Sequence, residues 1–413
     1  MKKILFILRG YYPNDNSSGG NVIKRIIDHL SANTDHRIHI YTLYQNATRN
    51  DSKSYDVGSV KVYLHHNPIS NGYARVIVNR SGVPITNHMG IEGTNIFQVA
   101  EAMHDLRQLC HHNDYDLIIS TCFPFEAHYC ASKLHAEFDI PWIAYYLDPY
   151  TPKSDLRAVP FRKKLKREIN TIRSAHTIIA LPQMIREYED AIDTNPDISV
   201  PLHFTSLDLP LLTDPSDSPE TENEVLTPGY INCVYAGELY EDWRNPEFVL
   251  NLFDKLNDER IKLYLIGRRN GFSDDYFPNW SARMGDRLVL CDRMPESDIN
   301  YIYRKADVLV NVGNSVTNMV PGKLIKLIST GKTILNTYKM KDCPSLDYMT
   351  DYPKAINIYE KDPLTEEAIN QIRTDIEKAQ GSPAVPYQEI CRIYHHLDVN
   401  FIYGEIERYI DQI

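Results

Sequence analysis

A chain of 413 residues exceeds the roughly 250–300 at which one hydrophobic core stops growing, so two domains are expected. Its net charge of -11 excludes nucleic acid as the main partner, because a polyanion demands a dense basic surface. There is no run of about 18 apolar residues, and the seven cysteines, odd in number and without a C-x-x-C pair, indicate neither a disulfide framework nor a zinc site; both facts point to the cytosol. The opening M-K-K-I-L-F-I-L-R-G has a charged end, a short apolar run and no small-residue cleavage site, and reads as a buried first strand, Ile4–Leu8. Arg9-Gly10 after it offers no G-x-G-x-x-G, which speaks against a dehydrogenase. Further strands are predicted at Ile38–Leu43, Val60–Tyr63, Leu117–Ser120, Trp142–Tyr146 and Thr177–Ala180, with helices at Asn21–Ser31, Phe97–His111, Phe125–Glu137 and Phe161–Ser174. In the last of these Arg162, Lys163, Lys164, Lys166 and Arg167 gather, either as a solvated helix face or as a patch drawn to anionic lipid.

From Leu207 the pattern gives way to a polar, acidic stretch carrying Pro210, Pro215, Pro219 and Pro228, read as a linker over 207–229 or a long surface loop. Alternation then restarts. Strands are predicted at Ile231–Ala236, Lys262–Ile266, Leu288–Leu290, Val308–Asn311 and Thr333–Asn336, and helices at Pro246–Leu256, Glu296–Lys305 and Lys323–Ser329. Strands alternating with helices are the mark of parallel sheets covered by helices, hence an α/β class for both halves, 1–206 and 230–385. The segment 386–413 is again helical.

The stretch Asn314–Leu335, N-S-V-T-N-M-V-P-G-K-L-I-K-L-I-S-T-G-K-T-I-L, reads as a loop, a helix start, an apolar helix, a glycine turn and a strand. Pro321 suits a first helical turn and Gly322 admits close backbone approach. The free amides of that turn, from Val320 onward, with Lys323, offer donors and positive charge to an anion such as a diphosphate. A bare helix start has the same appearance.

Four segments together resemble the GT-B glycosyltransferases, in particular the family 4 enzymes that build bacterial surface polysaccharides. Arg9-Gly10-Tyr11-Tyr12-Pro13 with Ser18-Gly19-Gly20 is similar to that family's first strand and glycine-rich loop. Asp116–Tyr150 resembles its Ser-Pro-x-x-x-His segment and Asp-Pro-Trp motif, with Tyr150 in the Trp position. Val234–Phe248 resembles the glycine loop with a basic residue that opens the donor domain, and Ala306 to Lys332 the Pro-x-Lys helix and Gly-Lys-Pro-Ile turn. The resemblance implies two Rossmann-like domains facing each other across a cleft, an acceptor side at 1–206 and a nucleotide-sugar donor side at 230–385, with 386–413 packing back on the first. It also implies a sugar-transfer reaction, retaining at the anomeric carbon.

Moving a sugar from a nucleoside diphosphate requires stabilising the charge that grows on the departing diphosphate, which positioned cations and amides do without a metal. Neither a metal nor another cofactor is expected. Arg244 and Lys323 are the candidate cations; Arg244 could equally pair with Glu241 or Asp242. Gly19, Gly20 and Gly237 would let backbone approach a ligand, though Gly19 and Gly20 could equally form an ordinary strand-to-helix turn, and Asn318 would meet the donor sugar. Among catalytic candidates, His128 could donate to a sugar hydroxyl or be an ordinary packed histidine. Asp148, before Pro149 at a strand end, could orient the acceptor hydroxyl or cap a turn, and Glu126 is the alternative carboxylate.

The chain departs from the resemblance at three positions. Lys326 stands where many relatives carry a ribose-binding glutamate, Asn318 where they carry an earlier acid, and Glu238 where they often place arginine. A lysine cannot accept hydrogen bonds from ribose hydroxyls. The expected function is a cytoplasmic, metal-independent transfer of a sugar from a nucleotide donor to a glycan or lipid-linked acceptor, with peripheral membrane contact through 161–173. The alternatives are a catalytically silent partner of a transferase and a nucleotide-sugar epimerase.

Overall fold

The computed structural model describes residues 1–13, 18–47, 53–66, 82–91, 95–122, 124–151, 159–198, 200–217, 219–221, 224–315 and 322–413. They form two compact units, Met1–Pro210 with Asn400–Ile413, and Leu211–Val399.

The first unit is built on an eight-stranded sheet: β1 Lys3–Leu8, β2 Arg37–Ala47, β3 Ser54–Val57, β4 Val60–His66, β5 Leu117–Cys122, β6 Trp142–Tyr146, β7 Thr177–Ala180 and β8 Phe204–Ser206. Their order is β3-β4-β2-β1-β5-β6-β7-β8, parallel except for the β3–β4 pair. Every residue of β5, β6 and β7 is buried, as befits parallel strands covered on both faces. Helices α1 Ser18–Asn33, α2 82–88, α3 Ile96–His112, α4 Glu126–Phe138, α5 Phe161–Ile172 and α6 Pro182–Asp193 belong to this unit. Asn95 caps α3 by accepting the Phe97 amide at 2.9 Å. Asn400–Ile413 also packs here: His29 bonds Glu407 at 2.7 Å and stacks on Tyr403 at 4.1 Å, and Lys2 Nζ donates to the Ile410 carbonyl at 2.6 Å.

In the second unit six parallel strands run in the order β13-β11-β9-β14-β15-β16. They are β9 Ile231–Ala236, β11 Ile261–Ile266, β13 Leu288–Cys291, β14 Val308–Asn311, β15 Thr333–Tyr338 and β16 Ala355–Tyr359; a two-strand ribbon pairs β10 Leu239–Tyr240 with β12 Arg269–Asn270. The helices are α7 Glu247–Leu256, α8 Tyr276–Met284, α9 Glu296–Lys305, α10 Gly322–Ser329, α11 Leu346–Met349, α12 Glu366–Ala379 and α13 Tyr387–Ile393, and α14 Val399–Gln412 carries the chain into the first unit. Asn311, Asn336 and Asn357 sit in register on three adjacent strands. Asn311 Nδ2 donates to Asn336 Oδ1 at 2.8 Å, and Asn336 Nδ2 to Asn357 Oδ1 at 2.9 Å, so the buried amides of Asn311 and Asn336 are satisfied across the sheet, the latter through the exposed Asn357.

The stretch after Leu207 is packed rather than free. Leu207, Leu211 and Leu212 are buried, and Arg304 of α9 donates to the carbonyls of Pro215 at 2.7 Å and Pro219 at 3.1 Å. The leucines take cover and the arginine ties down the turns that follow them.

Candidate functional site

In the second unit the strand order reverses between β9 and β14, the place where open α/β sheets bind ligands beyond the carboxyl ends of their strands. β9 hands over to Gly237, whose amide donates to the Ile266 carbonyl at 2.8 Å. Next to it β11 is followed by Gly267 at φ 131°, where a Cβ would stand 2.8 Å from the Gly237 carbonyl carbon, so only glycine permits the approach. A Cβ on Gly237 itself would run into the Lys323 ammonium and lie 2.8 Å from the Tyr235 hydroxyl. The lysine head therefore rests against the Gly237 backbone.

Lys323 projects from the first turn of α10, which begins at Gly322. The side chain is open to solvent, yet protein packed round the ammonium, and then the neighbouring Arg244, lower its pKa from 10.5 to about 8, while Glu238 acts in the opposite sense. Arg244 donates from Nε to Asn314 Oδ1 at 2.7 Å and lies over the Trp243 ring, 5.4 Å from its centroid. Tyr235, Tyr303 and Asn311 line the same recess as Arg244 and Lys323. An arginine side chain has only donors, so the Asn314 oxygen must face it, which leaves Asn314 Nδ2 as a buried donor with no partner among the described residues. Two cations, a spare amide donor and a side-chain-free backbone suit an anionic oxygen-rich ligand. Asn314 opens the stretch Asn314–Leu335 but nothing in its local sequence distinguishes it; its meeting with Arg244 is a tertiary event.

Several expectations change here. Among the described residues no ion pair joins Arg244 to Glu241 or Asp242, because its guanidinium turns to Asn314. Lys326 forms an ion pair with Glu296 at the start of α9, so its charge is met by protein. Glu238 accepts from the Tyr240 hydroxyl, and its carbonyl accepts from Tyr235 at 2.9 Å. Asn318, Val320 and Pro321 lie outside the described residues.

The first unit reverses strand order between β1 and β5. Gly19 and Gly20, read as loop residues, belong to the first turn of α1, which starts at Ser18. A Cβ on Gly19 would press to 3.3 Å from Leu147 Cδ1, so Gly19 borders the segment that leads to Asp148. Asp148 follows β6 and is partly exposed. Glu126 is buried in the first turn of α4 and accepts from the Tyr44 hydroxyl. His128 is fully buried; its Nδ1 bonds Ser120 Oγ at 2.7 Å, that hydroxyl accepts from Trp142 Nε1 at 2.7 Å, and burial drives the imidazole pKa down to about 3. The ring is neutral, and its Nε2 has no partner among the described residues. On α5, Lys164 is not part of the outer basic face but is buried, whereas Arg162, Lys163, Lys166 and, just after the helix, Arg173 are exposed.

Among the described residues no group of three or more His, Cys, Asp or Glu side chains is placed to hold a metal ion, and no helix is long and apolar enough to cross a membrane.

No family model and no curated protein matches the sequence. Solved structures do match over the whole chain. Anabaena HepE in complex with UDP is 14% identical with a TM-score of 0.65, covering 100% of both chains. The trehalose 6-phosphate synthase of Burkholderia multivorans is 13% identical with a TM-score of 0.62, over 100% of this chain and 96% of that one. The lipopolysaccharide outer core galactosyltransferase WaaB is 13% identical with a TM-score of 0.59, over 99% of each. At such identities the likeness is one of fold, and the fold, two parallel-sheet α/β units in one chain, is that of the GT-B glycosyltransferases.

Proposed function

We propose that the chain is a glycosyltransferase that moves a sugar, of the hexose type, from a nucleoside diphosphate to a glycan or lipid-linked acceptor in polysaccharide or glycoconjugate synthesis. The observation that carries this reading is the convergence of Lys323, which rests against the Gly237 backbone, and Arg244 on one recess at the switch point of the second sheet. Supporting it is the fold shared with HepE, whose structures hold UDP and UDP-glucose. Negative charge developing on the leaving diphosphate meets the Lys323 ammonium and the Arg244 guanidinium, each already placed, with Asn314 Nδ2 as a further donor. These groups supply the stabilisation from the protein's own cations, so the proposed transfer needs no metal. The first unit would serve the acceptor, with Asp148 oriented to its hydroxyl and neutral His128 restricted to hydrogen bonding. Retention of anomeric configuration and a cytoplasmic location complete the proposal. The exposed cations Arg162, Lys163 and Lys166 of α5, with Arg173 just after it, would hold the chain at an anionic membrane surface where a lipid-linked acceptor resides.

The test is a thermal-shift and hydrolysis panel of UDP-, GDP-, ADP-, dTDP- and CMP-sugars on the protein and on Lys323→Ala. One nucleotide class should raise the melting temperature of the parent alone, with slow release of free nucleotide. A flat panel would reject the donor site. A second reading, a silent partner of a transferase, is favoured by Lys326, paired with Glu296, standing where many members of the resembled family carry a ribose-binding glutamate. Turnover of any sugar nucleotide would eliminate it.

A further inference from the structure

Behind the loop that carries Asp148 lies a carboxylate the proposed chemistry does not use. Glu168, on the inner face of α5, is completely buried. Its Oε1 accepts from the Tyr146 hydroxyl at 2.9 Å and from the Tyr188 hydroxyl at 2.5 Å, and its Oε2 accepts the Thr151 amide at 3.1 Å. The Tyr188 hydroxyl in turn accepts the Tyr150 amide at 3.2 Å. Pro149 has no N–H, so the amides of Tyr150 and Thr151 are the first two by which this loop can be held after Asp148, and both hang on one carboxylate, directly or through one hydroxyl. Lys164, one turn before Glu168 on α5, places its ammonium 4.3 Å from the centroid of the Tyr150 ring, which also stacks on Phe125 at 4.3 Å and 10°. Groups from β6, α5 and α6 thus converge on residues 150–151, and Phe125 ties them to the start of α4, where Glu126 and His128 sit.

We propose that Glu168 is a positioning residue that sets the loop 148–151 at the carboxyl edge of the first sheet, and so the geometry Asp148 offers to an acceptor. This rests on the glycosyltransferase reading. Stability alone gives no reason for such a group: a buried carboxylate is costly, and apolar residues of like volume serve a core as well or better. What an apolar residue cannot do is accept three directed bonds and fix two consecutive amides, one directly and one through the Tyr188 hydroxyl. Burial raises the Glu168 pKa, and the hydrogen bonds from Thr151, Tyr188 and Tyr146 together with Lys164 act in the opposite sense.

The experiment compares Glu168→Gln and Tyr188→Phe with the parent by hydrogen exchange of the segment 147–151 and by steady-state hydrolysis of UDP-glucose, or of whichever sugar nucleotide the panel selects. In Glu168→Gln one acceptor becomes an NH2 donor, so either the tyrosines or the Thr151 amide must lose its partner. The expected result is exchange in 147–151 at least tenfold faster, kcat per folded molecule at least tenfold lower, and donor KM within twofold, since the proposed donor groups lie in the other unit. Tyr188→Phe, which removes a single hydroxyl, should show the same split at smaller amplitude, and it decides the matter if Glu168→Gln does not fold. Unchanged exchange in the folded variants overturns the proposal, as does faster exchange with parental kcat, or a loss confined to donor KM. A parent with no turnover of any sugar nucleotide would instead refute the transferase reading, and exchange alone would then show whether Glu168 holds the loop.

Discussion

Replacing Gly237 by alanine tests the donor site at its tightest point. The new Cβ would collide with the Lys323 ammonium and stand 2.8 Å from the Tyr235 hydroxyl and 3.1 Å from Tyr235 Cζ. Tyr235 is buried and its hydroxyl is bonded to the Glu238 carbonyl at 2.9 Å, so it cannot retreat. Lys323 is long and open to solvent, and it must be the one to move. The substitution therefore acts chiefly by displacing a cation from the ligand. A hydrogen bond to a charged group is worth about 2 kcal/mol, which predicts UDP binding weaker by roughly 30-fold. At a UDP concentration near 100 times the parental Kd, ligand stabilisation would fall from about 2.7 to about 0.9 kcal/mol. Overpacking against Tyr235 would separately lower the stability of the unliganded protein by about 1–3 kcal/mol. Isothermal titration of UDP into the parent, Gly237→Ala, Lys323→Ala and the double variant separates the two effects. Because both changes remove the same contact, the double variant should bind UDP no more weakly than Lys323→Ala. Parental affinity in Gly237→Ala, or additive losses in the double variant, would refute the placement of Lys323 over Gly237 as the diphosphate contact.

Lys323 also predicts a pH dependence of defined sign. Its pKa in the folded protein, about 8, lies below the ordinary 10.5, so between these values the unfolded chain binds the proton more strongly and stability rises with pH on this account. UDP affinity should fall over the same window, because the contact loses its charge; Lys323→Met should flatten both slopes, in urea midpoints and in titrations respectively. On α5, Arg162→Glu with Lys163→Glu and Lys166→Glu removes about 1 kcal/mol of surface attraction per position, so sedimentation with phosphatidylserine-containing vesicles should drop roughly 100-fold, while uncharged vesicles bind parent and variant alike. Parental binding by the variant would remove α5 as the contact. Gly331 has φ 65° with the Val385 backbone against it, its would-be Cβ 2.7 Å from Val385 N, whereas Gly381 at φ 68° faces open space. Gly331→Ala should cost well over 2 kcal/mol and Gly381→Ala about 1 kcal/mol by denaturant unfolding, and equal costs would count against the packing of Val385 on this turn.

Much of the α/β framework was legible residue by residue. Trp142–Tyr146, Thr177–Ala180, Ile231–Ala236 and Val308–Asn311 form strands with the bounds their apolar runs suggest, because a strand buried on both faces cannot carry exposed polar positions without cost. Elements that bury less left weaker marks. β3 and β16 are only partly covered, so no apolar run announces them, and α6, α8 and α12 are not among the expected helices, although Thr365 with Glu366 and Glu367 is a readable helix start for the last. The first turn of α1 was misplaced because Gly19 and Gly20 favour loops by propensity, and packing against Leu147 overrides it.

The sequence by itself determined the alternation that makes two parallel sheets, the helix start at Gly322-Lys323 and the glycine after β9, since these follow from local burial and backbone chemistry. Only the tertiary structure decided that Lys323 rests on Gly237, that Arg244 turns to Asn314, that Lys326 is met by Glu296, and that Lys164 and Glu168 face inward on a helix whose composition reads as a basic surface. Each of these depends on which face of one element meets which face of another far along the chain. No local run of residues carries that information, because the same lysine is solvated, paired or poised for a ligand according to what folding places beside it.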